Sequence, residues 1–255
     1  VREWAMGRDE EIEYAARHGI PVKQTADKPY SYDDNMWGVT GEGGEIEDPK
    51  KIPLYEKIVD AMNLPECAPD KTEIIELEFK NGLPVSLNNK ALKLSALVCE
   101  LNTIGGHHGV GIVTLIEDRL VGLKVRGVYW GPAAHIIIEA HKNLEKLVST
   151  REENEFKTLV DTKWAYLCYG AKWFDPLMEN LNAFIEKMNE KVSGKVQVKL
   201  YKGNASVVAV ESKNSLFDAD LATFNKSTAF NQNASAGFIE IYNLPAKTAQ
   251  AIKYR

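Results

Sequence analysis

Glu117 and Tyr129 stand on two consecutive apolar-rich runs, Ile112–Glu117 and Leu120–Tyr129, joined through Asp118-Arg119. If that junction folds the runs into a hairpin, both side chains can face one pocket. A carboxylate there pairs with a ligand ammonium, and a phenol hydrogen-bonds an ammonium or a carboxylate. Lys124 and Arg126 alternate with Leu123 and Val125 on the second run, so the same spacing also suits an exposed, salt-bridged strand. Spacing alone leaves both readings open. Upstream, the Ser31–Thr40 loop sets hydroxyls beside the aromatics Tyr30, Tyr32 and Trp37. That is a usual lining for a small polar ligand, and equally the make-up of an ordered loop whose Ser and Asp side chains form local turns.

Other chemistry is weaker. The cluster Gly105–Gly111 with His107 and His108 lies between a helix and a strand, the reverse of a dinucleotide loop, and reads as a tight turn. The two histidines have no second metal ligand at a recognisable spacing, so no metal site is expected. No Ser/His/Asp or Cys/His set is signalled, and no residue is assigned a catalytic role. Cys67, Cys99 and Cys168 are far apart, with no C-x-x-C pair, and read as reduced, mostly buried thiols.

The elements that must position these residues follow from pattern. A first helix is capped at Asp9 and stopped at Gly19. The segment 24–53 turns to Gly, Pro, Asp and Glu, and Lys28–Pro49 is too long for a plain connector. Glu73–Phe79 reads as a strand turning at Asn81-Gly82 into Pro84–Leu87. Leu92–Leu101 is a short helix, and Pro132 opens a long one with Ile136, Ile137, Ala140, Leu144 and Leu147 on one face. Thr150-x-x-Glu153 is a capping box whose helix sets Phe156, Leu159, Val160 and Leu167 on its apolar side. A helix from about Phe174 to Val192 and a hairpin, 195–200 with 206–210 around Lys202-Gly203-Asn204, come next. Phe238–Tyr242 alternates like a strand, and Pro245–Arg255 like a short terminal helix that needs a partner to hold it. All are spans of the one sequence. The fold class is α+β: antiparallel strands and hairpins packed with several helices, plus a C-terminal helical arm.

Composition narrows the class. With 255 residues, 44% hydrophobic and 26% charged, the chain carries a sizeable core and, if compact, exposes about 11,000 Å². A net charge of −5 argues against a general nucleic-acid or anionic-membrane surface. No apolar run approaches the ~20 residues of a membrane span, and Val1-Arg2-Glu3-Trp4 has no signal or transit pattern. A cytoplasmic location is expected. The sequons at Asn204, Asn225 and Asn233 carry no weight without a secretory signal.

Nine blocks, in order, then matter more than periodicity. They are Arg2-Glu-Trp4, EEIEYAARHGIPV (10–22), KPYSYDDNMWG (28–38), EGGEIEDP (42–49), HHGVG (107–111), IEDRLVGLKVRGVY (116–129), KLYKGN (199–204), SLFDADLATF (215–224) and AGFI (236–239). Together they resemble the C-terminal synthetase and multimerisation domain of argininosuccinate synthases. The family's N-terminal domain, with its Ser-Gly-Gly-x-Asp pyrophosphatase-type loop, has no counterpart in this chain. The resemblance implies residues 1–20 as the end of the nucleotide-binding domain, 21–230 as the citrulline-contributing and multimerisation domain, and 231–255 as a strand and oligomerisation arm. It implies that citrulline and aspartate condense with ATP and Mg²⁺, through citrullyl-AMP, to argininosuccinate, AMP and pyrophosphate in arginine biosynthesis and the urea cycle. ATP and Mg²⁺ would be held mainly by the N-terminal domain, in a homotetramer, with this chain alone inactive. By motif position, citrulline would be bound by Ser31, Thr40, Glu117 and Tyr129, with Glu117 on its ammonium. The chain departs from the pattern at Thr40 (usually Ser), Ile112-Val-Thr114, Asp118 (usually Asn), Val125 (usually Ser) and Trp130-Gly131. The alternative is a non-catalytic assembly or amino-acid-binding module derived from that domain. An enzyme split over two chains is a third reading.

Overall fold

A computed structural model describes residues 5–22, 28–222 and 229–254. The Arg2-Glu-Trp4 block, the end of SLFDADLATF and the Asn225 sequon lie outside the described residues. The chain divides into two units, 1–215 and 216–255.

The first unit holds two antiparallel sheets. One has the order β1-β2-β7-β6, from Ser31–Asn35, Gly38–Glu42, Lys124–Trp130 and Ile112–Asp118. The other has the order β5-β4-β3-β8-β9, from Lys90–Ala91, Leu83–Leu87, Glu73–Lys80, Gly194–Tyr201 and Asn204–Glu211. The α+β assignment stands. The hairpin loops Asn81-Gly82 and Lys202-Gly203 have φ of 49° and 79°, and 42° and 83°, the doubly positive geometry that matches strand twist.

The larger core lies on the five-stranded sheet. Its strands show period-two burial: Ile75, Leu77 and Phe79 face inward, as do Val196, Val198 and Leu200. Helices α3 (Leu94–His107) and α4 (Pro132–Val148) cover this face with Leu97, Val98, Leu101, Ile136, Ile137, Ala140 and Leu144. Pro132 does open α4. Helix α3 runs six residues past the expected end at Leu101, because Gly105 and Gly106 are helical packing positions and not part of a turn. A Cβ on Gly105 would lie 2.8 Å from Ile136 and Pro132, and one on Gly106 3.1 Å from Met62. The turn begins only at His108.

Helix α5 (Arg151–Tyr169) starts at the expected capping box, with Thr150 N–H donating to Glu153 at 2.8 Å. Its buried side is Lys157, Val160 and Leu167; Phe156 and Leu159 are exposed, contrary to expectation. The reason is electrostatic. The Lys157 ammonium sits 3.3 Å from Glu145 and 2.7 Å from Asp161, which turns that side of the helix inward. Helix α6 spans Pro176–Asn189, capped by Asp175, shorter than the expected span.

A smaller core of Tyr30, Ile46, Ile58, Val59, Val128 and Trp130 lies on one face of the four-stranded sheet. The expected long loop within 28–49 is in fact the β1–β2 hairpin followed by a 3₁₀ turn, Gly44–Glu47. Strand β1 is an edge strand reading Ser-Tyr-Asp-Asp-Asn, so no apolar alternation betrayed it. Arg126 fixes the 3₁₀ turn to β7. Its Nε–H donates to the Ile46 carbonyl at 2.7 Å, and its remaining N–H groups to Glu45, Asp48, Pro49 and Lys51 carbonyls at 2.8–3.3 Å.

In the first unit α1 (Arg8–His18) is capped at Gly7, with Glu10 accepting its N–H at 2.8 Å, not at Asp9. Gly19 ends it, as expected. A one-turn helix α2 spans Tyr55–Ile58. In the second unit the expected strand Phe238–Tyr242 is the end of helix α7 (Ala234–Tyr242), followed by α8 (Leu244–Lys253). The rings of Phe238 and Tyr242 stack at 5.1 Å, one helical turn apart, and that spacing overrides the two-residue alternation. Cys67 and Cys99 are exposed and Cys168 half-buried, all as free thiols, so the expectation of mostly buried thiols fails. Among the described residues no helix is long and apolar enough to cross a membrane.

Replacing Arg126 with Lys keeps the charge but leaves at most three donors on a single point for five carbonyls. Urea denaturation of Arg126→Lys is expected to show a loss of about 2–4 kcal/mol, the range for stripping partners from several buried polar groups. An unchanged midpoint would mean that water serves those carbonyls equally well.

Candidate functional site

Strand parity decides which side chains meet. In the four-stranded sheet Thr40 pairs with Tyr129, Asp33 with Thr40, Ser31 with Glu42, and Glu117 with Val125. Directly paired residues share a face, and so do positions two apart along a strand. Ser31, Thr40, Glu42, Glu117, Gly127 and Tyr129 therefore all lie on one face. The other face carries Val39, Arg126, Val128 and Trp130 and packs on the smaller core. All four expected site residues are thus on the side away from that core.

Glu117 and Tyr129 are not neighbours by register. Tyr129 lies four residues along β7 from Val125, the partner of Glu117, a distance of about 13 Å along a strand. The gap closes because the Tyr129 ring lies over Gly127. A Cβ built on Gly127 would sit 2.8 Å from the ring's Cε2 and hydroxyl. The phenol so placed comes close enough to Glu117 to feel its charge. Burial first, then the Glu117 charge, holds the Tyr129 phenol well above its ordinary range.

Three further residues converge here. Tyr169, at the last turn of α5, donates from its hydroxyl to Glu117 at 3.4 Å. Arg119, in the β6–β7 turn, lies 3.6 Å from Glu42. The phenol of Tyr169 is raised by desolvation and by Glu117, and Arg119 offsets part of this. The result is two carboxylates, two phenols and one guanidinium at one end of an open sheet face. Such a set suits an amino-acid head group: carboxylates take an ammonium, while phenols and hydroxyls accept or donate as needed. Thr40 sits beside Tyr129 on the next strand; Ser31 is one strand further out, opposite Glu42.

Sequence reasoning missed Glu42, Arg119, Gly127 and Tyr169. Glu42 was within reach, since it lies two residues from Thr40 on the same strand. Tyr169 comes from a helix forty residues downstream of β7, and no local pattern signals it. Lys124 and Arg126 do not join the site: Lys124 pairs with Asp118, and Arg126 faces the opposite side. Asp118 and Trp130, two of the departures from the family pattern, also face away. Trp130 packs edge-on against Tyr32 at 6.1 Å. His108 is buried and paired with Glu73 at 3.0 Å, tying α3 to β3. Among the described residues no group of three or more His, Cys, Asp and Glu side chains is placed to hold a metal ion.

The class the structure defines is an antiparallel α+β domain with a carboxylate–phenol cluster on one sheet face. Residues 30–249 match the family model described as the arginosuccinate synthase C-terminal domain. The chain is 49% identical over 255 residues to an argininosuccinate synthase of Oceanobacillus iheyensis, covering 99% of this chain and 60% of that protein. It is 47% identical over 249 residues to that of Pyrococcus furiosus, covering 98% and 60%. For the chloroplastic enzyme of Arabidopsis thaliana the figures are 44% over 253 residues, 99% and 51%. The chain belongs to the argininosuccinate synthase family, corresponds to its C-terminal domain, and spans roughly half to three-fifths of these relatives' length.

The raised phenols make alkaline stability a test of the site. A phenol whose folded pKa lies above its unfolded 10.0 stabilises the fold fully below pH 10. That contribution is lost as pH rises through the folded value. Tyr30, pushed to about 12 by burial and then by Glu45, and Tyr129 should therefore stay neutral past pH 11. In absorbance titration of phenolate, Tyr129→Phe is expected to leave the change between pH 9 and 11 unaltered. A smaller change in that window would place the Tyr129 hydroxyl in water.

Proposed function

We propose that this chain is the citrulline-gripping and assembling half of an argininosuccinate synthase, a carbon–nitrogen ligase of arginine biosynthesis. The observation that carries the reading is the Glu117 carboxylate, which accepts from the Tyr169 phenol and lies near that of Tyr129 on an open sheet face. In this reading Glu117 pairs with citrulline's α-ammonium, Tyr129 hydrogen-bonds the same head group, and the Ser31 and Thr40 hydroxyls bind its polar atoms. Gripping the amino-acid end leaves the ureido end to project from this domain. Fixing it against a second reactant replaces an encounter with a positioned step, an effect worth several kcal/mol. ATP would supply the adenylyl group, its α-phosphorus passing to the ureido oxygen as pyrophosphate leaves, and the aspartate amine would then displace AMP.

The described residues offer ATP and Mg²⁺ no cradle. The Gly-rich turn follows the C-terminal end of α3, where the helix dipole is negative and repels phosphate. ATP and Mg²⁺ are therefore assigned to the part of the relatives' length that this chain does not span, and the isolated chain is read as inactive.

The C-terminal unit supports the assembling role. Helices α7 and α8 have no buried residue. Phe238, Ile239, Ile241, Tyr242, Leu244 and Ile252 are each more than half exposed. Helices of nine and ten residues do not hold themselves in water, and apolar side chains so displayed call for another copy's surface. We read this unit as an oligomerisation arm of a homotetramer in the cytoplasm.

In the complete enzyme, Glu117→Gln is expected to raise the citrulline KM at least tenfold, about 1.4 kcal/mol or more, with the ATP KM unchanged. Steady-state kinetics with citrulline varied would show it, and wild-type values would remove Glu117 from the site. Deleting residues 234–255 is expected to lower the mass by light scattering from tetramer to a smaller species. A tetramer that survives the deletion would rule out the arm.

A further inference from the structure

Glu117 lies on β6, an outer strand of its sheet, and its side chain is only half-buried. A carboxylate in that position has rotamer freedom that a binding group must lose. Two contacts remove it, and neither comes from a residue beside it in register. The first is the Tyr129 hydroxyl, whose ring lies over position 127, where a Cβ would stand 2.8 Å from it, and which is near enough to Glu117 to feel its charge. The second is the Tyr169 hydroxyl, from the far end of α5.

Helix α5 is well placed to aim that phenol. Its first turn is closed by the Thr150–Glu153 box. Trp164 Nε1–H donates to Asn182 of α6 at 2.8 Å. Leu167 is buried two residues before Tyr169, and the Lys172 N–H donates back to its carbonyl at 2.9 Å. Gly170, next to Tyr169, lies against the β6–β7 turn, where an added Cβ would meet Leu120 at 3.6 Å. The hydroxyl therefore arrives at Glu117 from a fixed direction. At 3.4 Å the bond is long for O–H···O.

We infer that Gly127 and Tyr169 are positioning residues for the ligand-binding carboxylate of Glu117, Gly127 by laying the Tyr129 ring flat toward it and Tyr169 by a phenol hydrogen bond. The inference rests on the proposed citrulline reading. Removing either orienter weakens citrulline binding without altering the chemistry that follows. It therefore moves KM and not kcat.

The test uses the complete protein, this chain together with the remainder of its length, with citrulline varied and melting followed in parallel. Tyr169→Phe, which deletes one oxygen, is expected to raise the citrulline KM about fivefold. Its kcat and aspartate KM should stay within about twofold. Gly127→Ala is expected to raise the citrulline KM about tenfold, and to add nothing once Tyr129 is Phe, because it acts through that hydroxyl. If Tyr169→Phe leaves KM unchanged while Glu117→Gln raises it, Tyr169 is not an orienter and the citrulline reading stands. If Glu117→Gln also leaves KM unchanged, the citrulline reading itself falls. A lowered melting temperature with every KM intact would make Tyr169 structural only and overturn its assignment. Multiplying effects of Gly127→Ala and Tyr129→Phe would overturn that of Gly127. The Tyr169→Phe arm stands even if Gly127→Ala does not accumulate.

Discussion

Strand β7 is hydrogen-bonded on both sides, to β2 and to β6, and its two-residue alternation divides the smaller half of the fold. Arg126, Val128 and Trp130 point one way; Val125, Gly127 and Tyr129 point the other. On the inner side Arg126 hands its N–H groups to five backbone carbonyls between Glu45 and Lys51. A guanidinium withdrawn from water must find such acceptors or cost several kcal/mol. Carbonyls in an irregular segment need donors just as much. Each demand satisfies the other, and the segment closes over Tyr30, Ile46 and Ile58. A slip of one residue in β7 would carry Arg126 out to solvent and Tyr129 into the core. The register that completes the core is the same register that displays the site.

The display is electrostatically economical. Two carboxylates on one face repel, and each is met by a different answer: Glu42 by the Arg119 guanidinium, Glu117 by phenols. A phenol stabilises a carboxylate by hydrogen bonding without cancelling its charge. An arginine in the same place would have neutralised it. The raised phenol of Tyr129 follows from the same arrangement, since ionising it beside Glu117 would set two anions together.

Much of this was legible in the sequence where one local rule sufficed. Asn81-Gly82 announced a two-residue hairpin and Lys202-Gly203-Asn204 a hairpin one residue longer than the structure's, Thr150 and Glu153 a capping box, and Pro132 a helix start. The nine ordered blocks pointed to the family and to Ser31, Thr40, Glu117 and Tyr129. The failures share a cause. Gly105-Gly106 suggested a turn, but the glycines are there so that α3 can approach Pro132 and Met62, a contact visible only in three dimensions. Phe238-Ile-Glu-Ile-Tyr242 fits a two-residue alternation and a helical turn alike, and stacking of the two outer rings selected the helix. Phe156 and Leu159 belonged by hydrophobicity to the inner side of α5, but burying Lys157 between Glu145 and Asp161 rotated them out.

The departures from the family pattern sort by the same alternation. Asp118 and Trp130 face the smaller core or its rim, where Trp130 fills space against Tyr32 and Gly41. Thr40 and Val125 lie on the face shared by Glu117 and Tyr129, yet each keeps what its position needs. Thr40 retains a hydroxyl beside Tyr129, and Val125 pairs with Glu117 without competing for its oxygens, as a hydroxyl there would. With no polar group at position 125 or side chain at 127, the strand beneath Glu117 offers it no partner of its own. The orientation of the carboxylate then depends on phenols that arrive from a distance, one along β7 and one from the end of α5.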